Sequence, residues 1–65
     1  MMKWDAERIL ALRKALELSR ERFAHRIGVT ANTIYRWEKG LSLPASLAII
    51  RRLEELEKEL KGTQK

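Results

Sequence analysis

Residues 19–40 read SRERFAHRIGVTANTIYRWEKG, and this stretch decides the fold. Ser19 is a good helix N-cap, because its side-chain oxygen can accept a hydrogen bond from a free first-turn amide. Glu21 suits the positive end of that helix. Phe23, Ala24 and Ile27 then share one face of a helix predicted over residues 20–27. Gly28 stops it, since glycine takes the left-handed conformation without steric cost. After Val29, Thr30 offers a second N-cap, and the next helix is predicted over residues 31–39. Ile34 and Trp37 lie three apart on its inner face, and Gly40 closes it. Two short helices joined by a tight turn containing glycine make a helix-turn-helix. Ala24 is small where two steeply crossing helices come closest, and Val29 fills the gap beneath the turn.

Both flanks of this unit also read as helix. No stretch alternates apolar and polar residues with the two-residue period of a strand, so the expected class is all-α. A first helix is predicted over residues 5–17. Asp5 is its N-cap, Glu7 sits in the first turn, and Ile9, Leu12, Arg13 and Leu16 fall on one face. The connection LSLP ends in Pro44, which cannot sit inside a helix but suits the start of one. A long last helix follows, at about residues 45–61. The tail GTQK is expected to fray. Nothing suggests a linker or repeat, so residues 1–65 form one domain with its helix-turn-helix unit at 19–40.

Composition narrows the function. The chain has 65 residues, 45% of them apolar and 35% charged, as in a folded water-exposed domain. So short a chain buries only about 60% of its unfolded surface, so its core must be efficient or helped by a partner. There is no cysteine and a single histidine, His25, so neither a disulfide nor a metal cluster is expected. No cofactor is implied. No paired carboxylates, nucleophile–base pair or phosphate loop can be assembled, so an enzyme is not expected. No apolar run is long enough for a membrane span and the N-terminus has no signal core; a cytoplasmic location is expected, with nucleoid association when DNA is bound.

The net charge is +5, and it is uneven. Residues 18–52 hold seven basic side chains against two acidic ones, Glu21 and Glu38. Residues 53–65 hold three lysines against four glutamates. An excess gathered around the helix-turn-helix suits a polyanionic partner, most simply nucleic acid.

On the third helix, Asn32, Arg36 and Lys39 stand at i, i+4 and i+7, away from Ile34 and Trp37. If the apolar side is buried, these three must face out. Asparagine can pair bidentately with adenine and arginine with guanine. Arg20 stands at the start of the second helix, whose free amides suit a phosphate.

Leu12-Arg13, the run LSRERFAHRIGVT at residues 18–30, and NTIYRWEKG with the Pro44 that follows it together resemble the Cro/repressor-type helix-turn-helix family. The resemblance spans residues 9–53. It implies a compact lambda-repressor-like domain of four helices, or five, with a long C-terminal helix. It implies a double-stranded-DNA-binding transcriptional regulator, most simply a repressor, with the helix after Thr30 in the major groove. By this resemblance Ala31, Asn32 and Arg36 face base edges. Arg20, Thr30, Thr33 and Lys39 lie near the DNA backbone or groove wall. Tyr35, read apart from the resemblance, can touch a phosphate or pack at the rim on its neighbours. Arg13 and Glu38 match a buried ion pair bracing the third helix against the first. The chain departs from the pattern at Glu17, a turn position where glycine is frequent. It departs again at Ala31, which offers only a methyl contact where a polar side chain is common.

The last helix carries a second reading. Ile49, Leu53, Leu56 and Leu60 are spaced four, three and four apart, an a/d seam. They are the expected homodimer surface, with Trp4, Leu10 and the N-terminal methionines adding apolar area. The competing reading is an antitoxin-like or accessory protein whose C-terminal helix binds a partner protein while the helix-turn-helix autoregulates its operon.

Overall fold

The computed structural model describes residues 4–62. The N-terminal methionines and the end of the GTQK tail lie outside the described residues. The described residues form four helices: α1 (Ala6–Ala15), α2 (Arg20–Ile27), α3 (Ala31–Glu38) and α4 (Leu47–Gly62). Among the described residues no helix is long and apolar enough to cross a membrane.

Three side-chain caps set where the first three helices begin. Asp5 Oδ1 accepts from the Arg8 amide at 2.9 Å, Ser19 Oγ from Arg22 at 3.1 Å, and Thr30 Oγ1 from Thr33 at 3.2 Å. Each cap satisfies one of the amides that a helix start leaves free, an effect of about 1 kcal/mol.

Their ends are set by left-handed residues. Gly28 has φ 97° and Gly40 φ 75°. A Cβ on either would meet nothing within 4 Å, so glycine is required there by backbone conformation and not by crowding. After α3, Gly40 N donates to Trp37 O at 3.1 Å and Leu41 N to Arg36 O at 2.9 Å, the paired bonds of a Schellman stop. The same geometry ends α1: Glu17 N donates to Lys14 O and Leu18 N to Arg13 O. There the left-handed position is held by Glu17 itself, at φ 59°.

The core is one cluster of Trp4, Ile9, Leu12, Phe23, Ala24, Ile27, Ile34, Trp37, Leu53 and Leu56, with Leu16, Leu18, Val29, Ile49, Ile50 and Leu60 packed against it. α2 packs chiefly on α3, α3 also on α1, and α4 on α2. Two ion pairs fasten α4: Arg8 to Glu57 and Arg26 to Glu59, both at 2.9 Å. The Arg8 guanidinium also stacks on Trp4, 3.7 Å from the ring centre.

Two expectations are corrected here. Trp4 is buried in the core, not left on the surface for a partner. Leu47, at the start of α4, is among the most exposed leucines. The seam of α4 does not stand open: Leu53 and Leu56 are buried inside the chain, and Ile49 and Leu60 are packed beside them. A four-three-four spacing marks an apolar face, and this face is covered by the chain's own α2. Glu57 and Glu59 reach from α4 to Arg8 of α1 and Arg26 of α2.

Candidate nucleic-acid interface

α3 has two chemically distinct sides. Ile34 and Trp37 are buried, while Asn32, Tyr35, Arg36 and Lys39 are exposed and Ala31 and Thr33 are half-buried. Asn32 and Arg36 make no side-chain hydrogen bond or ion pair to any described residue. The amide and guanidinium are therefore available to an outside partner. Thr30 and Thr33 have their hydroxyl oxygens 3.0 Å apart, so part of their hydrogen-bonding capacity serves the helix start.

Beside the N-terminus of α3 runs an open groove of about 610 Å³, lined by Arg13, Ser19, Arg20, Glu21, Ala31, Asn32 and Tyr35. Arg20 and Asn32, from different helices, thus share one concave surface. The Tyr35 ring has two cationic neighbours, the Arg20 guanidinium at 5.4 Å and the Lys39 ammonium at 5.6 Å. Cations within about 6 Å of a ring are attracted by its face.

Behind the groove lies a charge cluster. Arg13 Nε donates to Glu38 Oε2 at 2.6 Å and Arg13 Nη2 to Oε1 at 3.3 Å. Arg13 Nη1 donates to the Leu18 carbonyl at 3.1 Å. Arg20 Nε donates to Glu38 Oε1 at 2.9 Å. The Glu38 side chain is only 3% exposed. Burial disfavours its charged form, but hydrogen bonds from Arg13 and Arg20, with their positive charges, outweigh this and hold the carboxyl below its ordinary value. One carboxylate thereby joins α1, α2 and α3 and fixes the helix-turn-helix against its support.

The structure brings Arg13 and Glu38 together, and it adds Arg20 to them. Nothing in the local sequence signals that third member, because Arg20 meets Glu38 only after α2 and α3 cross. Sequence reasoning also missed three exposed leucines, Leu41, Leu43 and Leu47, which are 64%, 46% and 65% exposed. A signal existed: residues 41–50, LSLPASLAII, carry no charge in a chain that is 35% charged.

Four helices in this order, with a glycine turn between α2 and α3 and an outward polar face on α3, define a helix-turn-helix DNA-binding domain. The comparison with protein families agrees. Residues 9–61 match the family model described as helix-turn-helix, of the Cro/C1 type. The chain belongs to this helix-turn-helix family, whose members are DNA-binding transcription regulators. The match runs further along α4 than residue 53, where the resemblance ends. No curated protein and no solved structure matches the chain.

Proposed function

We propose that this protein is a sequence-specific double-stranded-DNA-binding repressor that acts by occupying an operator as a homodimer. One observation carries the reading: Asn32 and Arg36 are exposed and unpaired on α3, directly opposite buried Ile34 and Trp37. With α3 in the major groove, Asn32 reads adenine and Arg36 reads guanine, each pair contributing about 1–3 kcal/mol of discrimination. Ala31 adds a methyl contact to thymine. Arg20, Thr30, Thr33, Tyr35 and Lys39 face the backbone and set the register. A cytoplasmic location follows from this role.

Homodimerisation is supported by a different surface from the α4 seam. Leu41, Leu43 and Leu47 lie just past the end of α3, in the segment without charge. Depletion of charge marks the centre of protein interfaces. Three exposed leucine side chains offer together on the order of a few hundred Å², against about 800 Å² per partner in a stable interface. The free protein is then a weakly associating monomer, and DNA brings two copies together with their recognition helices about 34 Å apart. The antitoxin-like reading places its partner protein on the C-terminal helix, where Leu47 is exposed at the first position. The outward side of α4, rich in Glu and Lys, supports that reading less.

The test compares Asn32→Ala with Lys39→Ala on sites selected from random DNA. Loss of Asn32 relaxes preference at one base pair. Loss of Lys39 weakens all sequences alike and reduces the salt slope by about one. Equal, sequence-blind losses from both would remove the base-reading role.

A further inference from the structure

We infer that Glu38 positions Arg20 as a preset phosphate clamp, so that the buried carboxylate bracing the fold also sets backbone affinity. The inference rests on the DNA-binding reading and assigns Glu38 a role in it as a positioning residue.

The two arginines on Glu38 are not equivalent. Arg13 commits three of its nitrogens, Nε and Nη2 to Glu38 and Nη1 to the Leu18 carbonyl, and its side chain is 15% exposed. Arg20 commits Nε alone, and its side chain is 44% exposed. Its Nη1 and Nη2 have no acceptor among the described residues. A guanidinium carries five N–H donors in a rigid plane, so four remain for a further anion while Nε stays on the carboxylate. Two cations on one carboxylate also leave the cluster one negative charge short.

That unsatisfied edge belongs to a side chain lining the groove it shares with Ala31 and Asn32. The anion brought beside the start of a recognition helix seated in the major groove is a DNA phosphate. Tetrahedral phosphate oxygens match a guanidinium fork in geometry as well as charge. Glu38 and the nearby Tyr35 ring hold the guanidinium before DNA arrives, so little side-chain freedom is left to lose on binding. Lysine cannot reproduce this. Its single ammonium is a point charge that must choose between Glu38 and the phosphate.

The test measures binding of Arg20→Lys, Arg20→Ala, Glu38→Gln and the Arg20→Lys/Glu38→Gln double variant to a short duplex carrying a selected site. Salt is varied over roughly 50–200 mM. Arg20→Ala flattens the slope of log affinity against log salt by about 0.9, one phosphate contact. Arg20→Lys keeps the wild-type slope but binds about tenfold more weakly, the equivalent of one charge-assisted hydrogen bond. Glu38→Gln keeps a neutral acceptor for Arg13. It weakens binding in the Arg20 background and adds almost nothing in the Arg20→Lys background. Wild-type affinity in Arg20→Lys, or losses from the two substitutions that add in full, would overturn the inference. Arg20→Lys alone decides the matter if Glu38→Gln does not fold. A wild-type protein without salt-dependent duplex binding would overturn the DNA-binding reading itself, which separates the two failures.

Discussion

Arg13 and Glu38 are 25 residues apart in the chain, yet Arg13 Nε lies 2.6 Å from Glu38 Oε2. The pair links α1 to the last turn of the recognition helix, behind the surface that faces DNA. Its position gives Glu38 an unusual weight in so small a domain. Removing one partner of a buried pair costs about 3–5 kcal/mol, because the other charge is left without compensation. Small domains have only about 5–15 kcal/mol of stability in total. Glu38→Ala is therefore expected to unfold the domain or lower its melting temperature severely. Arg20→Ala, which removes the more exposed partner and leaves Arg13 in place, costs much less. Thermal melts followed by circular dichroism distinguish the two, and equal melting temperatures would refute the ranking.

The same carboxylate makes stability depend on acid. The folded pKa of Glu38 lies below its ordinary value of 4.5, which stands for the unfolded chain. Above that value both states are ionised, and the stabilising contribution is fully present. As pH falls below it, the unfolded state takes up the proton first, and stability declines until the folded state is protonated too. Urea midpoints should therefore be flat from neutrality down to about the ordinary value and fall below it. Glu38→Gln, where it folds, should show a shallower acid limb. A wild-type and variant with parallel acid limbs would show that other carboxylates dominate.

Much of the fold could be read directly because its signals are local. Asp5, Ser19 and Thr30 cap the helices that the sequence assigns to them, and Gly28 and Gly40 have the left-handed conformation their positions require. Each of these choices is made within four residues of chain. What a helix face packs against is a different kind of fact. The Ile49–Leu60 seam has the same spacing whether a second copy or the chain's own core covers it, and here the core takes Leu53 and Leu56. Trp4 is covered on one side by Arg8, four residues on, but its burial also needs the core cluster that includes Leu53 and Leu56 of α4, which no window around Trp4 contains. The site divides likewise. The outward side of α3 follows from helical period, whereas the Arg20–Glu38 contact depends on how two helices cross.

Glu17 gives a prediction in the opposite direction, a gain in stability. It closes α1 at φ 59°, a conformation that costs an L side chain about 1–2 kcal/mol. Its side chain is exposed and makes no hydrogen bond to another described residue. Glycine removes the strain but loses more backbone freedom on folding, an opposing term of roughly 0.5–1 kcal/mol. Glu17→Gly should thus stabilise by about 0.5–1 kcal/mol, the difference between those terms. For a domain of this size that raises the melting temperature by about 2–8 °C. A drop would mean that Glu17 contributes through its charge, beyond its backbone conformation.

Leu43 and Leu47 test the assembly apart from the fold. Both are exposed in the monomer, so Leu43→Ser/Leu47→Ser should change stability by no more than about 0.5 kcal/mol per site. The backbone bond from Leu41 N to Arg36 O, which closes α3, is untouched by either substitution. On a duplex with one half-site, affinity should match the wild type, because α3 is untouched. On a duplex with two half-sites spaced by one DNA turn, the wild type should bind cooperatively and the variant as two independent copies. A cooperative energy of about 1–3 kcal/mol, lost in the variant, is the expected difference. Gel-shift titrations read it directly as the population of singly occupied DNA, scarce with the wild type and abundant with the variant. Cooperativity that survives both substitutions would move the dimer contact elsewhere on the molecule. A wild type with no cooperativity at any spacing would mean that these leucines do not pair two copies of the chain on DNA.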